Sequence, residues 1–596
     1  MPPVSNPFVD YLSRYTTASP DHEAAFDEFL AQTPPPTGEP LHLTTRVEQF
    51  LRERFAQPSP PSVILTGNAG DGKTYLCRQI LAAYGAAADW DVLADQPVER
   101  DGLRLHIVKD LSELGQEQGA QRLRSLAATL ADPAAPDRFL IAANEGRLRD
   151  LLSLATDLAE LEQREEAQLQ NGPAVLSPQL IVINLTEGTT SSFVPAALRW
   201  MTHPEHWAAC LACPILESCP VRQNAMCLRD EHVARRVQLL YQLLEQLDIH
   251  VTVRDMLIHL AYTLAGNKRC AELQRMEARH EDLSPFAYYQ NCWGRADDGA
   301  FQRKAGVVQH LARLRVGDHS LFEIDDFIVS GGESEAAQAE HARLFTPAVD
   351  LDHRRFAQDR EAYLSGGADR SAADEERTLM GWLPHCRRKL FFEWREKHQV
   401  TRLIPFLYLE QYLALLADER GARERTLREL VLGLNRAFAR LYLTESEYLF
   451  VTTQYLHSAE QPRPLVRLRF PLTDMWLELE DRASPAYDCE RQTLQLVIAP
   501  PAQLRIGPAG ERVESVRWRI GLLMFEYLLR LAHGGTYNIL AEECELGVRG
   551  LKDRLLSAFA GAPEQAGQLE FFVAERRRYS LRTLSIDEHD NIRGKA

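Results

Sequence analysis

The residues best equipped for chemistry lie between Gly67 and Thr74, where GNAGDGKT fits the spacing GxxxxGK[ST] at every fixed position. Backbone N–H groups can converge on a phosphate only where no bulky side chain crowds them, and Gly67, Gly70 and Gly72 meet that condition at the point where a helix begins. Lys73 would meet β- and γ-phosphates as a point charge, and the Thr74 hydroxyl would ligate Mg2+. Asn68, Ala69, Asp71 and Tyr75 complete the expected phosphate-binding stretch. A plain glycine-rich turn is the bland alternative. The apolar run Val63-Ile64-Leu65 before the loop and the helical spacing of Leu76, Cys77, Ile80, Leu81 and Tyr84 after it favour a nucleotide-binding P-loop.

Hydrolysis of ATP also needs a carboxylate near the metal and a group that orients water. Two registers supply them. In one, Asp110 closes the metal-holding strand and Asn144 is the polar sensor; in the other, Asn144-Glu145 stands where an acidic pair is usual, Glu145 positions water and Asn184 is the sensor. The longer spacing from Lys73 to Asn144 favours the second, although Asn is the poorer Mg2+ ligand. Each Asn at a strand end also suits a simple turn former. Arg254, opening a later helix, is placed to approach a γ-phosphate, or else to be a solvated arginine beside an acid.

A second constellation follows in CLACPILESCPVRQNAMC. Cys210, Cys213, Cys219 and Cys227 have a spacing that can surround one tetrahedral Zn2+, while the Cys-x2-Cys-x5-Cys run also suits an iron–sulfur cluster. Buried thiols without a metal are the third reading.

The elements that must position these groups alternate. Apolar runs at 103–108, 139–143 and 180–185 read as strands, with helices at 118–131 and 147–168, so the expected fold is α/β with a parallel sheet. Thr45 to Ala56 puts Val47, Phe50, Leu51 and Phe55 on one helical face. Residues 232–266 read as two helices broken near His250, a small lid. Beyond Cys270 the pattern is irregular to Leu364, with 331–340 an exposed loop and 366–377 a linker. The C-terminal part reads as α+β: an amphipathic helix through Leu427 to Leu441, strands at 448–456, 465–470 and 494–500, a long helix at 516–532, and terminal strands LEFFVA and RYSLRTL. The expected division is an N-terminal extension (1–45), an AAA+-like P-loop core (46–200), a Cys-rich metal insertion (201–231), a helical lid (232–300), a connecting region (301–375) and an α+β C-terminal domain (376–596).

With 596 residues, length alone suggests about three or four domains. A formal charge of −17 argues against a protein that coats nucleic acid and leaves only local basic patches, such as Arg387-Arg388-Lys389 or Arg576-Arg577-Arg578, for weak DNA contact. The aromatics interleaved with the first patch favour a helix that packs them inward. No apolar run approaches the ~20 residues that span a bilayer, so a cytoplasmic location without membrane attachment is expected.

The strings GNAGDGKTYL, LIAANEGRLRDLL, the Cys-x2-Cys-x5-Cys-Pro run, VRDMLIHLAYTLAG and ELVLGLNRAF together resemble the DptF family, P-loop ATPases of bacterial DNA phosphorothioation-dependent restriction systems. The resemblance implies an ATPase subunit that acts with DptG- and DptH-like partners in anti-phage defence, with phosphate-binding residues at Gly67, Gly72, Lys73 and Thr74. It carries nuclease activity to no residue. The competing expectation is a nucleotide-binding scaffold or signalling switch with little turnover and homo-oligomerisation as its output.

Overall fold

Strand β1 (Ser62–Thr66) is buried at every position, and its alternating side chains point into two different cores. The computed structural model that shows this describes residues 5–15, 33–85, 97–132, 134–153, 156–170, 179–295, 298–299, 305–345, 353–365, 379–395, 401–418, 421–444, 446–454, 464–480, 492–501, 513–535, 542–559, 568–575, 578–586 and 592–595. The chain divides into two units. The first comprises 1–245, 249–405 and 483–491; the second comprises 246–248, 406–482 and 492–596.

In the first unit, β2 (Val98–Arg100), β3 (Leu103–Val108), β4 (Asp137–Ala143) and β5 (Leu180–Asn184) join β1 in the order β2-β3-β4-β1-β5. β2 and β3 form an antiparallel pair, and β3, β4, β1 and β5 run parallel. Val63 and Leu65 face the helices Arg46–Phe55 and Lys73–Ala83 through Phe50, Leu51, Leu76 and Ile80. Ile64 faces the other side, where Leu123, Leu126, Leu148 and Leu151 come from the helices Gln116–Ala131 and Glu145–Ser153. Helices therefore cover both faces, which is why these strands read as continuous apolar runs. The stretch expected as one helix at 147–168 is two, Glu145–Ser153 and Ala159–Gln170.

Residues 5–15 pack into this unit. Asn6 caps the helix Pro7–Leu12, and Phe8 is fully buried with its ring 3.8 Å from that of His206. The region 270–364, read from sequence as irregular, is largely helical: Cys270–Ala278, Gly306–Arg313, Phe322–Ser330, Glu335–Leu344 and His353–Leu364. The segment taken for an exposed loop at 331–340 holds only a short turn before Ser334 caps the next helix. The linker expected at 366–377 lies outside the described residues.

The basic stretch at 387–389 is not a free surface. Arg387 is buried against Asp325, at 2.6 Å, and Lys389 is buried against Glu393, at 3.3 Å. Arg388 donates to the Val316 carbonyl and the Gln290 side chain, while Phe391 and Phe392 are fully buried. These charges are spent inside the fold, which removes the first expected DNA patch. Arg576 and Arg577, in the second, lie outside the described residues.

The second unit carries two antiparallel sheets. Strands β6 (Tyr448–Gln454), β7 (Pro464–Pro471), β8 (Met475–Glu480), β9 (Thr493–Ile498), β10 (Val516–Ile520), β11 (Gln568–Glu575), β12 (Arg578–Ile586) and β13 (Ile592–Lys595) pair as β10-β9-β8 and β13-β12-β11-β7-β6. The long helix expected at 516–532 is a strand and a shorter helix, Leu522–Ala532. Val516, Trp518 and Ile520 point inward and Arg517 and Arg519 outward, a period of two that ends at Gly521. Among the described residues no helix is long and apolar enough to cross a membrane.

Candidate functional site

The loop Gly67–Gly72 leaves the carboxyl end of β1 and enters the helix Lys73–Ala83. Gly67, Gly70 and Gly72 adopt φ of 145°, 100° and 90°, backbone that L side chains rarely take. A Cβ on Gly70 would also meet Thr252 Oγ1 at 2.9 Å. The loop is thus closed over by a second segment, and the Arg254 N–H donates to the Gly70 carbonyl at 3.2 Å.

Lys73 is 8% exposed and turns back across the loop, its Nζ donating to the carbonyl oxygens of Gly67 at 2.8 Å and Asn68 at 2.7 Å. Burial lowers its pKa from the usual lysine value; Asp71 and Asp110 oppose that fall and Arg254 adds to it. Asp71 accepts the Asn68 N–H at 2.7 Å on one oxygen and meets His250 Nε2 at 2.8 Å on the other. Burial also lowers the Arg254 pKa.

These groups open onto a cavity of about 370 Å3, a size that suits a small-molecule ligand. The residues that line it include Gly70 to Thr74, Lys109, Asp110, Glu113, Thr190, His250 and Arg254. Leu41, Leu43, Val47, Tyr75, Phe193 and Leu257 add apolar side chains to the lining. Thr74, Asp110 and Glu113 supply hydroxyl and carboxylate oxygens to the lining, donors of the kind Mg2+ takes.

The structure brings Lys73, Thr74, Asp71, Asp110 and Arg254 together. Asn144 and Asn184 stand at the carboxyl edge of the strands flanking β1, where Thr66 registers with Ala143 and with Asn184. Neither they nor Glu145 line the cavity. Asn144 Oδ1 accepts the Gly146 N–H, Asn184 Oδ1 accepts the Thr186 N–H, and Glu145 pairs with Arg149 at 3.1 Å. Sequence reasoning missed Glu113, Thr190 and the His250–Asp71 contact. The break before Val253 marked His250 as a junction, whereas Glu113 carries no local signal.

The cysteines sort differently from their spacing. Cys210, Cys213 and Cys219 line one small cavity together with Cys270, while Cys227 lines another beside Asn224, Tyr288 and Lys389. The cause is the helix Pro220–Leu228, capped by Cys219, which carries Cys227 two turns away, roughly 12 Å along its axis. Burial pushes the Cys219 thiol up to about 12 and raises those of Cys210 and Cys270. As the side chains stand, no group of three or more His, Cys, Asp or Glu among the described residues is placed to hold a metal ion.

No family model, no curated protein and no solved structure matches this chain. The α/β sheet with its parallel core therefore stands on its own geometry.

Proposed function

We propose that the first unit is a P-loop, AAA+-like ATPase module that binds ATP in the cavity above β1. The observation that carries this reading is the buried Lys73, folded onto the Gly67 and Asn68 carbonyls at a helix N-terminus and lining one cavity with Asp110 and Arg254. A triphosphate entering there would draw the Lys73 ammonium off the two carbonyls, and the loop N–H groups and helix dipole would share its charge. Apolar lining side chains such as Leu41, Leu43, Phe193 and Leu257 would take the base. Mg2+, when bound, supplies charge neutralisation between phosphates; Thr74 is the hydroxyl that would hold it, with Asp110 or Glu113 as the carboxylate. In this reading Asp110 supersedes the Asn144-Glu145 pair, and Arg254 meets the γ-phosphate.

The wider role rests on the resemblance already given: an ATP-hydrolysing subunit that works with DptG- and DptH-like partners in DNA restriction against phage, touching DNA weakly or through those partners. A second reading, a nucleotide-dependent switch with little turnover, is favoured by the pairing of Glu145 with Arg149, away from the cavity. Steady-state ATPase assays with and without DNA and partner subunits separate the two. Turnover that Lys73→Ala abolishes supports the ATPase; tight ATP binding with no turnover under any condition supports the switch. ATP affinity unchanged in Lys73→Ala would overturn both.

A further inference from the structure

Four thiols, three of them within ten residues and the fourth, Cys270, far along the chain, share one cavity, and N–H groups are directed at three of the sulfurs. Asn6 Nδ2 lies 3.2 Å from Cys210 Sγ, and the Asn6 backbone N–H donates to Cys270 Sγ at 3.4 Å. Gln274 Nε2 is 3.5 Å from Cys213 Sγ. A neutral thiol is a weak acceptor that gains little from such donors, whereas a thiolate is strongly stabilised by them. Two of the four also occupy helix starts, Cys219 as the cap of Pro220–Leu228 and Cys270 as the first residue of Cys270–Ala278, where the helix dipole favours an anion. Thiols that served only as small apolar filling would need neither arrangement.

We propose that Cys210, Cys213, Cys219 and Cys270 hold one Zn2+ as a tetrathiolate, and that Cys227 is not a ligand. Zinc takes sulfur at about 2.3 Å in a tetrahedron, a reach that the helix denies to Cys227 while Cys219 is bound. Cys270, though distant in sequence, is delivered by the start of its helix. The thiols share a cavity without surrounding one point, so binding requires their side chains to reorient among staggered χ1 wells. The cavity they line is small, about 10 Å3. Binding needs no oxidant: the four thiols lose their protons to solvent as the metal–sulfur bonds form. Asn6 ties residues 5–15 to the centre, so the metal would staple the N-terminal segment to the Cys-rich insertion and to the helix Cys270–Ala278.

The test is metal analysis of the full chain purified without chelators, beside Cys270→Ser and Cys227→Ser. The expected result is about one zinc per chain in the wild type and in Cys227→Ser, and its loss in Cys270→Ser. Because zinc loss in Cys270→Ser would also follow from an unfolded insertion, alkylation of the wild type read by peptide mass spectrometry gives an independent answer. Cys210, Cys213, Cys219 and Cys270 should be protected until a chelator is added, with Cys227 labelled equally before and after. Absence of metal, iron with acid-labile sulfide, zinc lost in Cys227→Ser but kept in Cys270→Ser, or chelator-independent labelling of the four would each overturn the assignment.

Discussion

His250 Nε2 stands 2.8 Å from the carboxylate of Asp71, and this contact fastens the segment that precedes the helix Val253–Ala265 to the middle of the glycine loop. The Asp71 side chain is almost wholly buried and also holds the Asn68 N–H, so one carboxylate sets both the loop and its cover. The hydrogen bond to Asp71 raises the His250 pKa above its usual 6.5, against the effect of burial, with Asp255 and Glu245 adding to the rise. A folded-state value above the unfolded one means that the stabilisation is fully present below pH 6.5 and is lost as pH rises through the higher folded value. His250→Gln should therefore cost about 1 kcal/mol at acidic pH and progressively less at alkaline pH. Thermal melts of both proteins across that range check this; a difference that does not shrink with rising pH would count against the ion pair.

Asp110 and Glu145 each follow an apolar strand, and only Asp110 lines the cavity with Thr74. If Asp110 is the metal-holding carboxylate, Asp110→Asn should lower Mg2+-dependent turnover by 10²-fold or more, on the order of a lost charge-stabilising group, and leave nucleotide binding largely intact. Glu145→Gln removes only a surface pair with Arg149 and should change turnover little. The reverse ranking, measured by steady-state kinetics, would restore the register in which Glu145 positions water.

These two carboxylates also show where the sequence stops being sufficient. The strands β1, β3, β4 and β5 are legible because burial on both faces makes each a short unbroken apolar run, and the loop is legible because its glycines and Lys73 are adjacent in sequence. Which acid faces the loop depends on the side-chain directions at the sheet edge, and no local pattern encodes them. Cys270 was invisible for the same reason: local spacing pairs Cys219 with Cys227, and only the intervening helix separates them. The strand Val516–Ile520 was read as helix because its apolar residues run straight into those of Leu522–Ala532, with only Gly521 between them. The short helices of 306–344 lack a long apolar stripe, so their ends at Ser334 and at Gly331, with φ of 86°, carry most of the information.

His259 gives the first unit an acid-sensitive point. It is fully enclosed, with Nδ1 2.6 Å from the Tyr241 hydroxyl and Nε2 2.9 Å from the Cys292 carbonyl. A carbonyl can only accept, so Nε2 carries the hydrogen and Nδ1 accepts from tyrosine, an arrangement for the neutral ring. Burial drives its pKa down to about 4 from 6.5. The unfolded chain then takes up the proton first as pH falls, and stability drops between pH 6.5 and about 4 by up to roughly 1.4 kcal/mol per pH unit. His259→Gln should be less stable at neutral pH but flatter across this interval. Equal slopes for the two proteins in denaturant titrations would refute the assignment.

Two glycines in helices of the second unit predict opposite outcomes for the same substitution. Gly433 lies within Ala422–Ala439, against the helix Leu522–Ala532, and a Cβ there would run into the backbone carbonyl of Leu528. Gly550 lies within Glu542–Ala558 and is exposed, and a Cβ there would meet nothing within 4 Å. Alanine in a helix interior is worth about 0.5–1 kcal/mol over glycine through chain entropy, so Gly550→Ala should stabilise by about that amount. The same gain is available at Gly433, but a backbone carbonyl cannot rotate aside as a side chain can, and the helices must move apart. Separation of packed helices costs about 1–3 kcal/mol, enough to reverse the sign. Chemical denaturation of the two variants beside the wild type reads the difference directly, and stabilisation by Gly433→Ala would show that the two helices do not approach as closely as the contact at Leu528 requires.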